Sequence, residues 1–213
     1  YTKFSLVIRV FVGIHTGDFP TARHFIARLS DGIASGRLSA RNAPLVQFLH
    51  GQLARIEGRR DDASACYREV LASKLASEET GMAQGCLVGL ACTDISSGVD
   101  SSARALLVRA LSLDPDGNSL WWSPLPSVVA AVAELVVATD AERGSLIWAM
   151  ASRLGHRARY QPMYAQDVAR ITAILDQARG EHGIPIPDVP ADLTAADAIA
   201  ECREAIAALE VLS

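Results

Sequence analysis

The sequence predicts an all-α protein, an α-solenoid of stacked helix pairs, and three observations predict it. One short pattern of small and large residues occurs four times at a spacing of about 40 residues. Each occurrence is preceded by a second apolar stretch with helical spacing. Two Pro- and Gly-dense segments, whose composition forbids regular helix, stand between these stretches.

The occurrences are marked by Gly17, Gly58, Gly98 and Thr139, separated by 41, 40 and 41 residues. Five places after each marker stand the small residues Ala22, Ala63, Ala103 and Gly144; nine places after stand the large residues Ile26, Tyr67, Leu107 and Trp148. Leu29, Val70, Ala110 and Ala151 complete the same face, because residues three and four apart share one side of a helix. Asp18, Asp61, Asp100 and Asp140 fall where a carboxylate caps a helix or offsets its macrodipole. Ahead of the markers, apolar residues at helical spacing occupy 6–14, 45–56, 82–95 and 128–137. The repeating units are therefore 4–37, 44–76, 78–115 and 127–156. One such pair cannot bury its apolar face alone, so the pairs stack.

The segments 114–127 and 183–192 read as structured connections, since apolar residues alternate with their prolines. Two further helices, at about 162–180 and 194–211, close the chain. A capping box formed by Thr194 and Asp197 opens the last of them, and Thr139 with Glu142 reads the same way earlier. The whole of 1–213 reads as one domain.

Half of the 213 residues are apolar, ample for a continuous core, and the net charge of −4 offers no general attraction to nucleic acid or anionic lipid. Cys66, Cys86, Cys92 and Cys202 lack paired spacing and read as free thiols of a cytoplasmic protein. Arg9 interrupts the apolar opening, which reads as neither signal nor anchor. A first residue of Tyr suggests a piece of a longer chain.

The third unit resembles the tetratricopeptide repeat, with Leu87, Leu90, Ala91, Gly98, Ala103, Leu107, Ala110 and Pro115 at that motif's intervals; the second keeps Gly51, Gly58, Ala63 and Tyr67. The period exceeds the usual 34 by six or seven, which implies longer helices or loops. The resemblance implies a right-handed superhelix with a C-terminal capping helix. Toward the end, Ala149 and Ala151, a helix over 164–179, and the pair Leu193 and Thr194 resemble the closing region of ATP-binding LuxR-type and AfsR-like transcription regulators of actinobacteria. That resemblance implies a sensor or interaction region in signal transduction, non-catalytic, on the C-terminal side of a nucleotide-switch ATPase. ATP is then expected only on that upstream domain, and this region alone is expected to bind neither Mg-ATP nor DNA.

The residues support no reaction. Neither Lys3 nor Lys74 lies in a phosphate loop, and no HExxH, CxxC, GxSxG or GxGxxG is present. The five histidines are scattered, without the spacing of a metal site. Asp61 with Asp62, and Glu78 with Glu79, read as helix-start charges. Gly81, Gly85 and Gly89 form a stripe four apart that reads as close approach of a neighbouring helix backbone. Gly85→Leu is accordingly expected to cost more than Gly36→Leu, Gly36 lying in a polar connection.

First helices line the groove of tetratricopeptide proteins, and the resemblance places on it Phe4, Val7, Phe11 and His15, then Phe48, Gln52 and Arg55, then Val88 and Cys92. Their apolar lining with a few polar points suits a protein segment or a small-molecule effector, with Arg55 reading a carboxylate or phosphate. The same spacing also serves internal packing. Trp121 and Trp122 could close over such a ligand or tuck beneath the Pro-rich loop. A constitutive scaffold or homo-oligomerisation domain without a ligand is the alternative reading.

Overall fold

The computed structural model describes residues 2–73, 80–115, 123–157 and 163–212. Among them are ten α-helices, one 3-10 turn at Ala40–Asn42 and no strand. The helices are α1 (Lys3–Thr16), α2 (Phe19–Ala34), α3 (Ala43–Ile56), α4 (Arg60–Ala72), α5 (Thr80–Ile95), α6 (Asp100–Leu113), α7 (Leu125–Val136), α8 (Ala141–Gly155), α9 (Ala165–His182) and α10 (Ala195–Leu212). Neighbours in sequence pack as hairpins: α1 with α2, α3 with α4, α5 with α6, α7 with α8. Each second helix also touches the next first helix, and the first helices α1, α3, α5 and α7 touch in succession.

The hairpin turns explain the glycine markers. Gly17, Gly58 and Gly98 adopt φ of 77°, 78° and 72°, a left-handed conformation that glycine enters without the steric cost of a Cβ. Their amides close the preceding helix on the carbonyls of Ile14, Arg55 and Ile95 at 3.2, 3.0 and 3.0 Å. The fourth turn is built otherwise. No described residue other than glycine has positive φ, so Thr139 does not reproduce the left-handed cap. Asp140, and not Thr139, caps α8, accepting the Arg143 amide at 2.9 Å.

Behind the turns the repeated face is the core. Ala22, Ala63 and Ala103 are fully buried, as are Ile26, Tyr67 and Leu107. A Cβ on Gly144 would lie 2.8 Å from the Val137 backbone, which explains why the fourth unit has glycine where the others have alanine. The apolar interior forms two clusters, one drawn from α1 to α5 together with Tyr164 and one from α5 to α10.

Helix α7 starts at Leu125, inside the segment expected to be irregular. Pro126 sits in its first turn, where the missing N–H would have had no partner inside the helix. Ser123 and Gln84 hold this start in place: the Ser123 hydroxyl accepts the Leu125 amide at 3.2 Å and donates to Gln84 Oε1 at 3.4 Å. Gln84 Nε2 in turn donates to the Ala110 carbonyl at 3.0 Å.

Helix α10 lies against α6, α7 and α8 as a cover on the later pairs. Arg143 reaches Glu201 at 2.6 Å, and Arg203 donates to the Leu111 carbonyl at 3.1 Å. Its capping box is formed: Asp197 accepts the Thr194 amide at 2.8 Å, and the Thr194 hydroxyl accepts the Asp197 amide at 3.1 Å. The bonds from Thr194 hold the Asp197 carboxyl below its usual 3.8. A depressed carboxylate stabilises the fold above the unfolded-state value, and that contribution is lost as pH falls through the lower folded value. The melting temperature of Asp197→Ala is therefore expected to lie below wild type at pH 6, with the gap narrowing as pH falls below 3.8. A gap that is constant with pH would assign the loss to something other than the charged cap.

All four cysteines are free thiols. Burial raises each of them, Cys86 to about 12, which favours the protonated thiol at neutral pH. No helix among the described residues is long and apolar enough to cross a membrane.

Candidate functional site

Helix α9 does not extend the row of pairs. It packs on α1, α7 and α8, and its first turns lie over the faces that the first helices share. Tyr164, just ahead of α9, together with Asp167 and Ile171, falls at spacings of three and four, so these residues present one face to the rest of the molecule.

Each first helix supplies part of the seat for that face. From α1, Phe11 stacks on the Tyr164 ring with centroids 6.4 Å apart and planes 18° apart, and the Ile14 carbonyl accepts from Gln166 Nε2 at 2.9 Å. From α3, Arg55 makes a bidentate pair with Asp167, Nη1 to Oδ1 at 2.8 Å and Nη2 to Oδ2 at 2.7 Å, while its Cζ lies 5.8 Å from the Tyr164 ring centroid. From α7, Glu134 forms an ion pair with Arg170. Helix α5 contributes Gly85, Val88, Gly89 and Cys92 to a cavity it shares with Gln52, Arg55, Tyr164, Asp167 and Ile171.

Both members of the Arg55–Asp167 pair are mostly buried, with side chains 12% and 17% exposed. Burial alone would lower the guanidinium's proton affinity, but the Asp167 carboxylate outweighs it and holds Arg55 well above its ordinary value. Burial raises the Tyr164 and Tyr67 hydroxyls, so both are neutral. Arg170 is lowered by its own burial and by the nearby Arg55, with Cys92 opposing.

The contact is incompletely satisfied. Gln52 Oε1, Glu134 Oε2, Tyr164 OH and Gln166 Oε1 are buried without a hydrogen-bond partner among the described residues, while the Tyr67 hydroxyl faces the Arg55 guanidinium. An unpartnered buried polar atom costs about 1–3 kcal/mol. The space lined by Gln52, Arg55 and Tyr164 is about 30 Å³, room for a water and far below the several hundred Å³ a metabolite needs.

The residues expected to line a groove fall into three groups. Phe11, Phe48, Gln52, Arg55, Val88 and Cys92 converge around the start of α9 or directly beneath it, and Val7 is buried in the neighbouring core. His15 is exposed, and Phe4 is 69% exposed. Phe4, Ile8 and Val12 instead form an outward stripe on α1. Trp121 and Trp122 lie outside the described residues, as do Glu78 and Glu79.

The glycine stripe has a different neighbour from the one expected. A Cβ on Gly85 would meet the Phe48 ring at 3.0 Å and one on Gly89 the Tyr67 ring at 2.5 Å, so aromatic side chains, and no helix backbone, fill the space. Gly36 is unsuitable as a neutral comparison because its φ of 73° strains any side chain.

Tyr164, Gln166, Asp167, Arg170 and Glu134 did not stand out in the sequence as site residues. The spacing of Tyr164, Asp167 and Ile171 is the available signal, and it is weak because Asp and Arg at helical spacing usually face solvent. Compared with known protein families, with curated proteins and with solved structures, the chain matches none.

Proposed function

We propose that this region is a non-catalytic recognition module, a tetratricopeptide-like α-solenoid whose first-helix face binds a protein segment or an acidic effector. One observation carries the reading: the first helices of all four pairs contribute to one seat, and that seat holds a helix through a stacked tyrosine and a buried carboxylate. Arg55 supplies a planar, permanently charged fork that matches a carboxylate in two hydrogen bonds. The similarity to LuxR-type and AfsR-like regulators supports placing the module in transcriptional signalling, with the upstream ATPase domain as the element that receives its state. Binding would act by favouring one packing of the pairs over another.

The test is a thermal-shift screen of the full chain against amphipathic acidic 20-residue peptides and carboxylate or phosphate metabolites. At least one class is expected to raise the melting temperature, and the shift is expected to vanish in Arg55→Gln. A screen without shifts on the folded chain would reject recognition.

The exposed stripe of Phe4, Ile8 and Val12 favours a second reading, a scaffold assembled from copies of this chain. The repeat register pairs Ile8 and Val12 with Leu49 and Leu53 of α3, which are buried. A second copy stacked on α1 would bury the stripe in the same way. Sedimentation equilibrium decides this: a monomer at all concentrations removes the scaffold reading.

A further inference from the structure

We infer that α9 is an exchangeable occupant of the first-helix seat, and that the external partner is a helix carrying an aromatic residue followed three places later by a carboxylate. The inference rests on the recognition reading and names the partner class for that face.

The difference in burial between helices is the first reason. Eleven residues of α7 are buried and eleven of α5, whereas Ile171 and Leu175 are the buried residues of the 18-residue α9. A helix with so little apolar contact belongs to the part of a fold that opens at lower free energy than the core. The second reason is chemical. What fixes the start of α9 is directional: the bidentate Arg55–Asp167 pair, the Phe11–Tyr164 stack, the Gln166 bond to the Ile14 carbonyl and the Arg170–Glu134 pair. Such contacts specify a partner by geometry, and any helix presenting the same aromatic and carboxylate can make them. The third reason is the poor fit of the resident helix. Gln52 Oε1 and Glu134 Oε2 on the body of the protein are buried acceptors that no described residue of α9 meets. A partner with a donor at those places would be held better than α9 is.

Opening and exchange have separate consequences that can be measured on the full chain. By hydrogen exchange, amides of 168–182 are expected to exchange at least 100-fold faster than those of α7 under native conditions. Equal protection of α9 and α7 would mean that α9 opens only with the whole fold, and would overturn the inference. The second arm adds a labelled synthetic peptide of residues 163–182 to wild type and to the double variant Tyr164→Ala, Asp167→Asn, which weakens the resident helix and leaves the seat on α1, α3, α5 and α7 intact. The peptide is expected to bind the double variant at least tenfold more tightly than wild type, because the resident helix no longer competes. A peptide carrying Asn at the Asp167 place is expected to lose that gain. Absence of binding to a double variant with native circular dichroism would also overturn exchange. A positive ligand screen with α9 fully protected would leave recognition standing and reject exchange alone. A variant that fails to fold leaves the hydrogen-exchange arm on wild type as the deciding measurement.

Discussion

Arg55→Ala is expected to lower stability by about 3–5 kcal/mol, the cost of leaving a buried charge without its partner. Asp167 keeps one cation nearby, Arg170 Nη2 at 3.3 Å, and this places the loss toward the lower end of that range. The desolvation of the remaining carboxylate and the loss of the Arg55 guanidinium over the Tyr164 ring act together. Replacing both charges with apolar residues of similar volume, Arg55→Met with Asp167→Leu, is expected to recover most of the loss, because the pair's attraction mainly offsets its own desolvation. Urea denaturation of the two single variants and the double variant closes the cycle. A double variant as unstable as the sum of the singles would mean that the two side chains act independently, and that α9 is held elsewhere.

Gly89→Ala is expected to destabilise by about 1–3 kcal/mol, a large response to one methyl group. The added Cβ would stand 2.5 Å from two ring atoms of Tyr67 and 2.8 Å from its hydroxyl oxygen. Tyr67 is fully buried, and its ring also lies 2.8 Å from the place of a Cβ on Gly51, so it is held from both sides. Helix propensity alone would favour alanine by about 1 kcal/mol, so the sign of the result separates packing from propensity. Gly180 of α9 provides the comparison: nothing lies within 4 Å of its place for a Cβ and its φ is not positive, so Gly180→Ala is expected to stabilise. Combining Gly89→Ala with Tyr67→Leu should suppress most of the Gly89 penalty. If both glycine variants shift the denaturation midpoint upward, the Tyr67 ring has more freedom than its burial indicates.

The repeat itself was legible because helical periodicity and backbone conformation are local. Gly17, Gly58 and Gly98 mark where each second helix begins, and the small and large residues five and nine places later announce which face must be buried. Those few positions pointed to the paired helices and to the buried face of each second helix without reference to distant parts of the chain. The turn at Thr139 was less legible, since a capping Asp one residue later gave the same overall pattern by another route.

Tertiary structure decided where α9 goes. Its sequence has a modest apolar face and several charges, a pattern that fits a solvated surface helix as well as one laid across a groove. Asp167 and Arg55 are 112 residues apart, and no local rule links them; the pair exists because the first helices align their faces and α9 returns across them. From the sequence, Arg55 is a cation among apolar first-helix residues, and the resemblance implies for it a carboxylate or phosphate partner. Only the packed chain could decide that the carboxylate beside it is its own, because long-range charge pairing depends on the three-dimensional path, and periodicity records only the local one.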